Sequence, residues 1–235
     1  PVVTKAAPID IVTGAGTSVT VGASGSFATS NQILEITTDG FDLQGAVDSG
    51  SAKTIVECTT AGRTVGLGDG ASGQMGLAQS ETQKFTSTGG MSLGGANCGS
   101  VTVDGAMVDN VESTFSLLSV RPSSTVTFSG AGSTFHELSV HADHLISVNS
   151  VLTTSVGNLH LDADYDNDAT GESANLLQFG DGATARSKLV MTLEATSGSI
   201  VPAGALTLEA GTGIVIQDSM ESTAGASKPM VINAD

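Results

Sequence analysis

The chain has no tryptophan, one tyrosine and seven phenylalanines, so aromatics make up 3% of its 235 residues. That composition excludes an interior filled mainly by large aromatic side chains. Charge is also scarce, at 14% against about 25% in an average globular domain. Basic residues are rarest: 8 Lys and Arg stand against 24 Asp and Glu, a net charge of −16. Such a chain repels phosphate backbones and anionic lipid headgroups, which argues against nucleic-acid or membrane-surface partners. The same charge attracts divalent cations. No apolar run approaches the ~18 residues of a spanning helix, so membrane insertion is not expected. Sustained 3.6-residue periodicity is missing, which excludes coiled coils and doubly wound α/β folds. Glycine has no three-residue period, which excludes collagen. No Asn-x-Ser/Thr sequon occurs, so N-glycosylation is not expected. The first residue is Pro1 and no signal peptide is visible, so the chain reads as a segment of a processed or longer polypeptide.

Small residues fill the space that the others leave. Gly 30, Ser 29 and Thr 28 accompany 39% apolar residues, which cluster in short Val/Ile/Leu runs; that clustering argues against disorder. Apolar–polar–apolar triplets recur, among them Val19-Thr20-Val21, Leu34-Glu35-Ile36, Val101-Thr102-Val103, Leu118-Ser119-Val120, Leu138-Ser139-Val140, Leu159-His160-Leu161 and Leu206-Thr207-Leu208. A weaker strand falls at Met75–Leu77. Thr192-Leu193-Glu194-Ala195 returns as Thr207-Leu208-Glu209-Ala210. The underlying unit is about 20 residues. Alternation within each triplet marks half-buried strands, and Gly, Ser, Asp and Asn between them mark turns. A β-sandwich and a parallel β-helix both fit short strands. The short repeat, the small β-branched apolar residues and the few aromatics favour the β-helix. One continuous all-β solenoid over residues 1–235 follows, with about 11–12 coils and a rod near 50–55 Å at about 4.8 Å per coil. An acidic insertion interrupts it at 162–174.

Residues 39–94 are the most distinctive. Asp42-Leu43-Gln44-Gly45-Ala46-Val47 is followed by Ala61-Gly62-Arg63-Thr64-Val65-Gly66-Leu67-Gly68-Asp69-Gly70, and then by Gly89-Gly90-Met91-Ser92-Leu93-Gly94. This run resembles the repeats of filamentous-haemagglutinin-type surface proteins, with their D-L-x-G-x-V strand and A-G-R-x-[IV]-x-L-G segment. Giant repeat surface proteins of microalgae are similar. The resemblance implies a right-handed parallel β-helix, export to the cell surface, and adhesive or filament-building roles.

Asp162, Asp164, Asp166 and Asp168 alternate, and Glu172 follows. That spacing gathers hard oxygens as a Ca²⁺ loop does. It lacks the Gly at loop position 6, where Asn167 stands, and a solvated acidic loop is the plainer reading. No other cofactor is expected. His136, His141, His144 and His160 form a loose group, read mainly as surface or turn histidines, with His141 and His160 placed on adjacent coils. Arg63 sits in the repeat motif and is read as bridging turns. Serine is too abundant to signal a nucleophilic triad. Sugar-cleaving grooves are usually floored with aromatics, which are lacking here, so no catalytic residues are expected and the chain reads as non-enzymatic. Thr-x-Thr does not recur once per coil, which argues against ice binding.

Cys58 and Cys98 stand 40 apart. Two coils of about 20 residues would place them about 9.6 Å apart, beyond the ~7 Å reach of a disulfide. A bridge therefore needs a register offset, and two free buried cysteines are slightly preferred. The functional expectation is a structural subunit of an extracellular filament, hair or sheath that stacks head to tail with itself. The alternative is a cell-surface adhesin stalk that binds glycans.

Overall fold

The computed structural model describes residues 2–3, 7–168, 175–223 and 228–235. Its strands are parallel and wind as a β-solenoid of about 9 turns. One face is a nine-stranded sheet. Equivalent inward positions on it are Ile11, Ile36, Val56, Leu93, Leu117, Val140, Leu161, Leu193 and Ile216. Successive spacings are 25, 20, 37, 24, 23, 21, 32 and 23 residues. A second face carries a two-stranded and then a seven-stranded sheet, and a third carries a four-stranded and then a six-stranded one.

The expected 11–12 coils of about 20 residues are therefore corrected to about 9 turns, typically about 23 residues apart. Three strands with a bend after each consume more chain than one repeated triplet suggests. Two turns are longer still. The rod is correspondingly shorter, about 43 Å at about 4.8 Å per turn.

Phenylalanines from different faces meet across the interior. Phe85, Phe115, Phe128, Phe135 and Phe179 are fully buried. Phe115 lies 5.5 Å from Phe135, and Phe41 lies 5.7 Å from Phe85, ring centre to ring centre. Five of the seven phenylalanines are thus spent on the interior. One triplet was read out of phase: the strand Thr114–Ser119 buries Phe115, Leu117 and Ser119 and turns Leu118 outward. Ser119 tolerates burial because its hydroxyl donates to the carbonyls of Thr125 (3.1 Å) and Gly99 (3.2 Å).

Hydroxyls close one corner repeatedly. Just before strands of the nine-stranded sheet, Thr29, Ser49, Ser87, Thr154 and Ser187 each donate to the carbonyl three residues on, at 2.5–2.9 Å. A buried carbonyl left unpaired would cost roughly 1–3 kcal/mol. Aspartates tie other corners between turns. Asp39, 1% exposed, accepts the Gly16 N–H (2.6 Å), the Thr60 N–H (2.8 Å) and the Thr60 hydroxyl. Burial pushes its carboxyl up, but these hydrogen bonds and the nearby Arg63 guanidinium outweigh that and hold it below the usual carboxylate range. Arg63 bridges turns as expected: Nε donates to the Asp39 carbonyl (2.8 Å), and a terminal nitrogen donates to the Gln74 carbonyl (2.9 Å).

The 37-residue turn contains an insertion. Met75–Leu77 is a strand, but it makes no turn of its own; it pairs with Arg63–Leu67 on the side away from Cys98–Val103. A short helix, Gln79–Thr82, follows. The Gln79 amide copies a strand residue, donating to the Met107 carbonyl and accepting the Met107 N–H, both at 2.7 Å. Glu81 accepts the Leu43 N–H (3.1 Å) and the Ala78 N–H (3.0 Å). The helix thereby satisfies strand edges that would otherwise lie open. Here the third face changes sheets: the four-stranded sheet ends at Phe85–Ser87, with one further bridge from Ser87 to Val111, and the six-stranded sheet starts at Met107–Val108.

The same insertion corrects the reading of the cysteines. Cys58 and Cys98 form a disulfide, with Cα atoms 5.1 Å apart. Forty residues span one turn here, not two, because Thr54 pairs directly with Met91. The two cysteines thus meet across adjacent turns at one corner.

Candidate functional site

The outer side of the nine-stranded sheet gathers the chain's reactive groups. Glu137–Ala142 alternates, burying Leu138, Val140 and Ala142 and presenting Glu137, Ser139 and His141. Its neighbour Leu159–Asp162 buries Leu159 and Leu161 and presents His160. Pairing sets Ser139 beside His160 and His141 beside Asp162. Val190–Glu194 then places Thr192 beside His160 and Glu194 beside Asp162.

Within this grid the side chains interlock. The Ser139 Oγ lies 2.9 Å from His141 Nε2 and 3.5 Å from His160 Nδ1. His141 Nδ1 lies 3.0 Å from Asp162 Oδ2. Asp162 Oδ1 accepts the Asp164 N–H at 3.2 Å, which orients the carboxylate. His160 Nε2 faces Glu194 Oε2 at 3.5 Å. The two imidazoles meet edge to face at 5.3 Å, and the Tyr165 ring meets His141 at 5.5 Å. An ionised Asp162 only accepts, so it fixes the proton of neutral His141 on Nδ1 and leaves Nε2 to accept from the Ser139 hydroxyl. Beside the cluster runs an open groove of about 490 Å³, with Thr114, Glu137, Asn158, His160 and Thr192 in its lining.

The acidic run is dispersed. Asp162 joins the histidine cluster. Asp164 is buried, and its carboxylate accepts the Asn175 amide (2.8 Å) and the Ser197 N–H. Asp166 accepts the Asp168 N–H at 3.1 Å in an exposed turn. Glu172 lies outside the described residues. Among the described residues, no group of three or more His, Cys, Asp or Glu is placed to hold a metal ion. His141 and His160 do stand on adjacent turns, as expected. His144 is apart, with Nδ1 3.2 Å from Asn175 Oδ1, and the buried His136 Nδ1 has no partner among the described residues.

The sequence reading did not assemble Ser139, His141, Asp162, Tyr165 and Glu194 as one group. The signal was available: Ser139-x-His141 and His160-x-Asp162 lie 21 residues apart, one turn, with the same strand phase. No protein-family model, curated protein or solved structure matches the chain.

Proposed function

We propose that the chain is a section of a β-helical rod with a structural role at the cell surface, and that it assembles head to tail with further copies. The observation that carries this reading is the parallel ladder itself: about nine turns repeat one cross-section, a geometry that further turns continue without a change of shape. Gly213–Ile216 and Met230–Ala234 are the outermost strands of their sheets. They expose Val215, Ile216, Met230, Val231 and Ile232, the last at 50%. A parallel edge with apolar side chains is a template for another turn of the same shape, and a heterologous contact of that kind propagates into a fibre. At the other end, Ile9–Val12 offers Ile9, Ile11 and Val12 on the first strand of the nine-stranded sheet. The Cys58–Cys98 disulfide suits an oxidising, extracellular compartment. The likeness of residues 39–94 to surface-protein repeats supports the same location.

Electron microscopy of purified protein at neutral pH tests this. Filaments with an axial repeat near 43 Å, about nine turns at about 4.8 Å each, are expected. Dispersed single rods at high concentration would overturn it. The lateral groove favours a second reading, an adhesin stalk that binds a glycan along this face; a glycan array with the single rods tests it.

A further inference from the structure

We propose that Ser139 is an activated nucleophile, with His141 as its general base and Asp162 as the group that orients His141, and that it accepts small acyl groups from carboxylic esters. The argument goes beyond the rod reading and does not depend on it. Three bonds carry it: Ser139 to His141 Nε2 at 2.9 Å, His141 Nδ1 to Asp162 at 3.0 Å, and Asp162 to the Asp164 N–H at 3.2 Å. Nucleophile, base and orienting carboxylate follow in the order that proton removal from a serine needs. Serine and base come from one strand and the carboxylate from the next, so the ladder itself holds them in place. Chains on a rigid sheet keep such geometry better than loops do.

The chemistry closes without a co-reactant other than water. Ser139 Oγ attacks the ester carbonyl carbon, and its proton passes to His141 Nε2. The C–O bond to the leaving alcohol breaks, and that oxygen takes the proton from His141. Water then adds to the acyl-serine and gives a proton to His141. The Ser139–acyl bond breaks, Oγ regains the proton, and the carboxylic acid departs. His160 Nδ1 also lies 3.5 Å from Oγ, with Glu194 Oε2 3.5 Å from its other nitrogen.

The adjoining groove indicates the alcohol side. Its lining sets Leu138, Leu159 and Val190 beside Thr192, Asn158 and the Thr114–Glu137 pair, in which the Thr114 hydroxyl donates to Glu137 Oε1 at 2.6 Å. That lining suits a neutral polyhydroxylated chain, so the substrate class is a small O-acyl ester carried on a carbohydrate.

The test is labelling of the intact protein with a fluorophosphonate probe, which reacts only with activated serines, followed by peptide mass spectrometry. Ser139 should label at least about 100-fold faster than Ser116, its register neighbour on the adjacent strand, the low end of what a positioned base contributes. His141→Gln should slow Ser139 labelling by a similar factor, and Ser139→Ala should abolish both labelling and the acyl burst with p-nitrophenyl acetate. Equal labelling of Ser139 and Ser116 in the wild-type protein would overturn the proposal without any variant. So would unchanged labelling in a His141→Gln protein whose thermal transition matches the wild type.

Discussion

Breaking the Cys58–Cys98 bridge should cost the rod a large fraction of its stability. The bridge closes a loop of 40 residues. In the chain-entropy account, a loop of that length removes about 13 cal/mol/K from the unfolded ensemble, or about 4 kcal/mol at 25 °C. For a chain of this size each kcal/mol moves the midpoint by roughly 2–4 °C. The oxidised protein should therefore melt roughly 8–16 °C above a Cys58→Ala/Cys98→Ala variant, followed by circular dichroism near 218 nm. Alanine is the right replacement because both positions are buried and a serine hydroxyl there would need a partner. Hydrogen exchange should place the loss in the turns between Thr54 and Val103, where the bridge holds the long turn closed. Thiol titration supplies the direct check: the denatured, unreduced protein should show no free thiol, and two after reduction. Two thiols without reductant, or midpoints within 2 °C of each other, would refute the reasoning.

Three further predictions concern single substitutions. Asp39→Asn should cost roughly 1.5–3 kcal/mol, the range for hydrogen bonds to a charged group, because the carboxylate accepts from Gly16 and Thr60 beside Arg63. Its folded pKa is lowered, so its contribution is complete above the unfolded value near 3.9 and is lost as pH falls through the folded one. Thermal melts from pH 7 to pH 2 should show a steeper acid decline in the wild type than in the variant, and parallel declines would contradict this. Gly94→Ala should destabilise by roughly 1–3 kcal/mol: Gly94 has φ +103°, and an added Cβ would meet the Leu118 carbonyl oxygen at 2.1 Å. Gly76→Ala, where a Cβ meets nothing within 4 Å, should be neutral or slightly stabilising by urea denaturation.

Alternation at Leu34-Glu35-Ile36 or Leu138-Ser139-Val140 is a local property of a strand with one buried face, which is why the solenoid was legible. Its turn count was not. The triplets mark one face, and the other two faces and their corners add residues that carry no alternation. Val108, Phe135 and Ala185 line the third face, but their strands are too short or too polar to stand out. Ser119 misled because a buried serine reads as an outward one until its carbonyl partners are known. The disulfide stayed open between two readings for a similar reason: a mean repeat of 20 does not hold across a turn of 37. The outer cluster was hidden by abundance. With 29 serines in the chain, only the turn-to-turn register singles out Ser139.

The change of sheets on the third face also sets how the rod would carry load. Pulled along its axis, most of the rod shares tension among ladders on three sides. Between Phe85–Ser87 and Met107–Val108 the third side is held by a single bridge and by the side chains of Gln79 and Asn110. The second face is likewise interrupted, between Phe41–Leu43 and Arg63–Leu67, so these two neighbouring levels are the weak sections and rupture should begin at one of them. The covalent link at the opposite corner makes the tear a bounded one. Of the chain released, the 40-residue span from Cys58 to Cys98, about 130–140 Å when fully extended, stays out of the stretched length until the bond is reduced. Such an arrangement lets the rod yield at one place while keeping both of its parts attached.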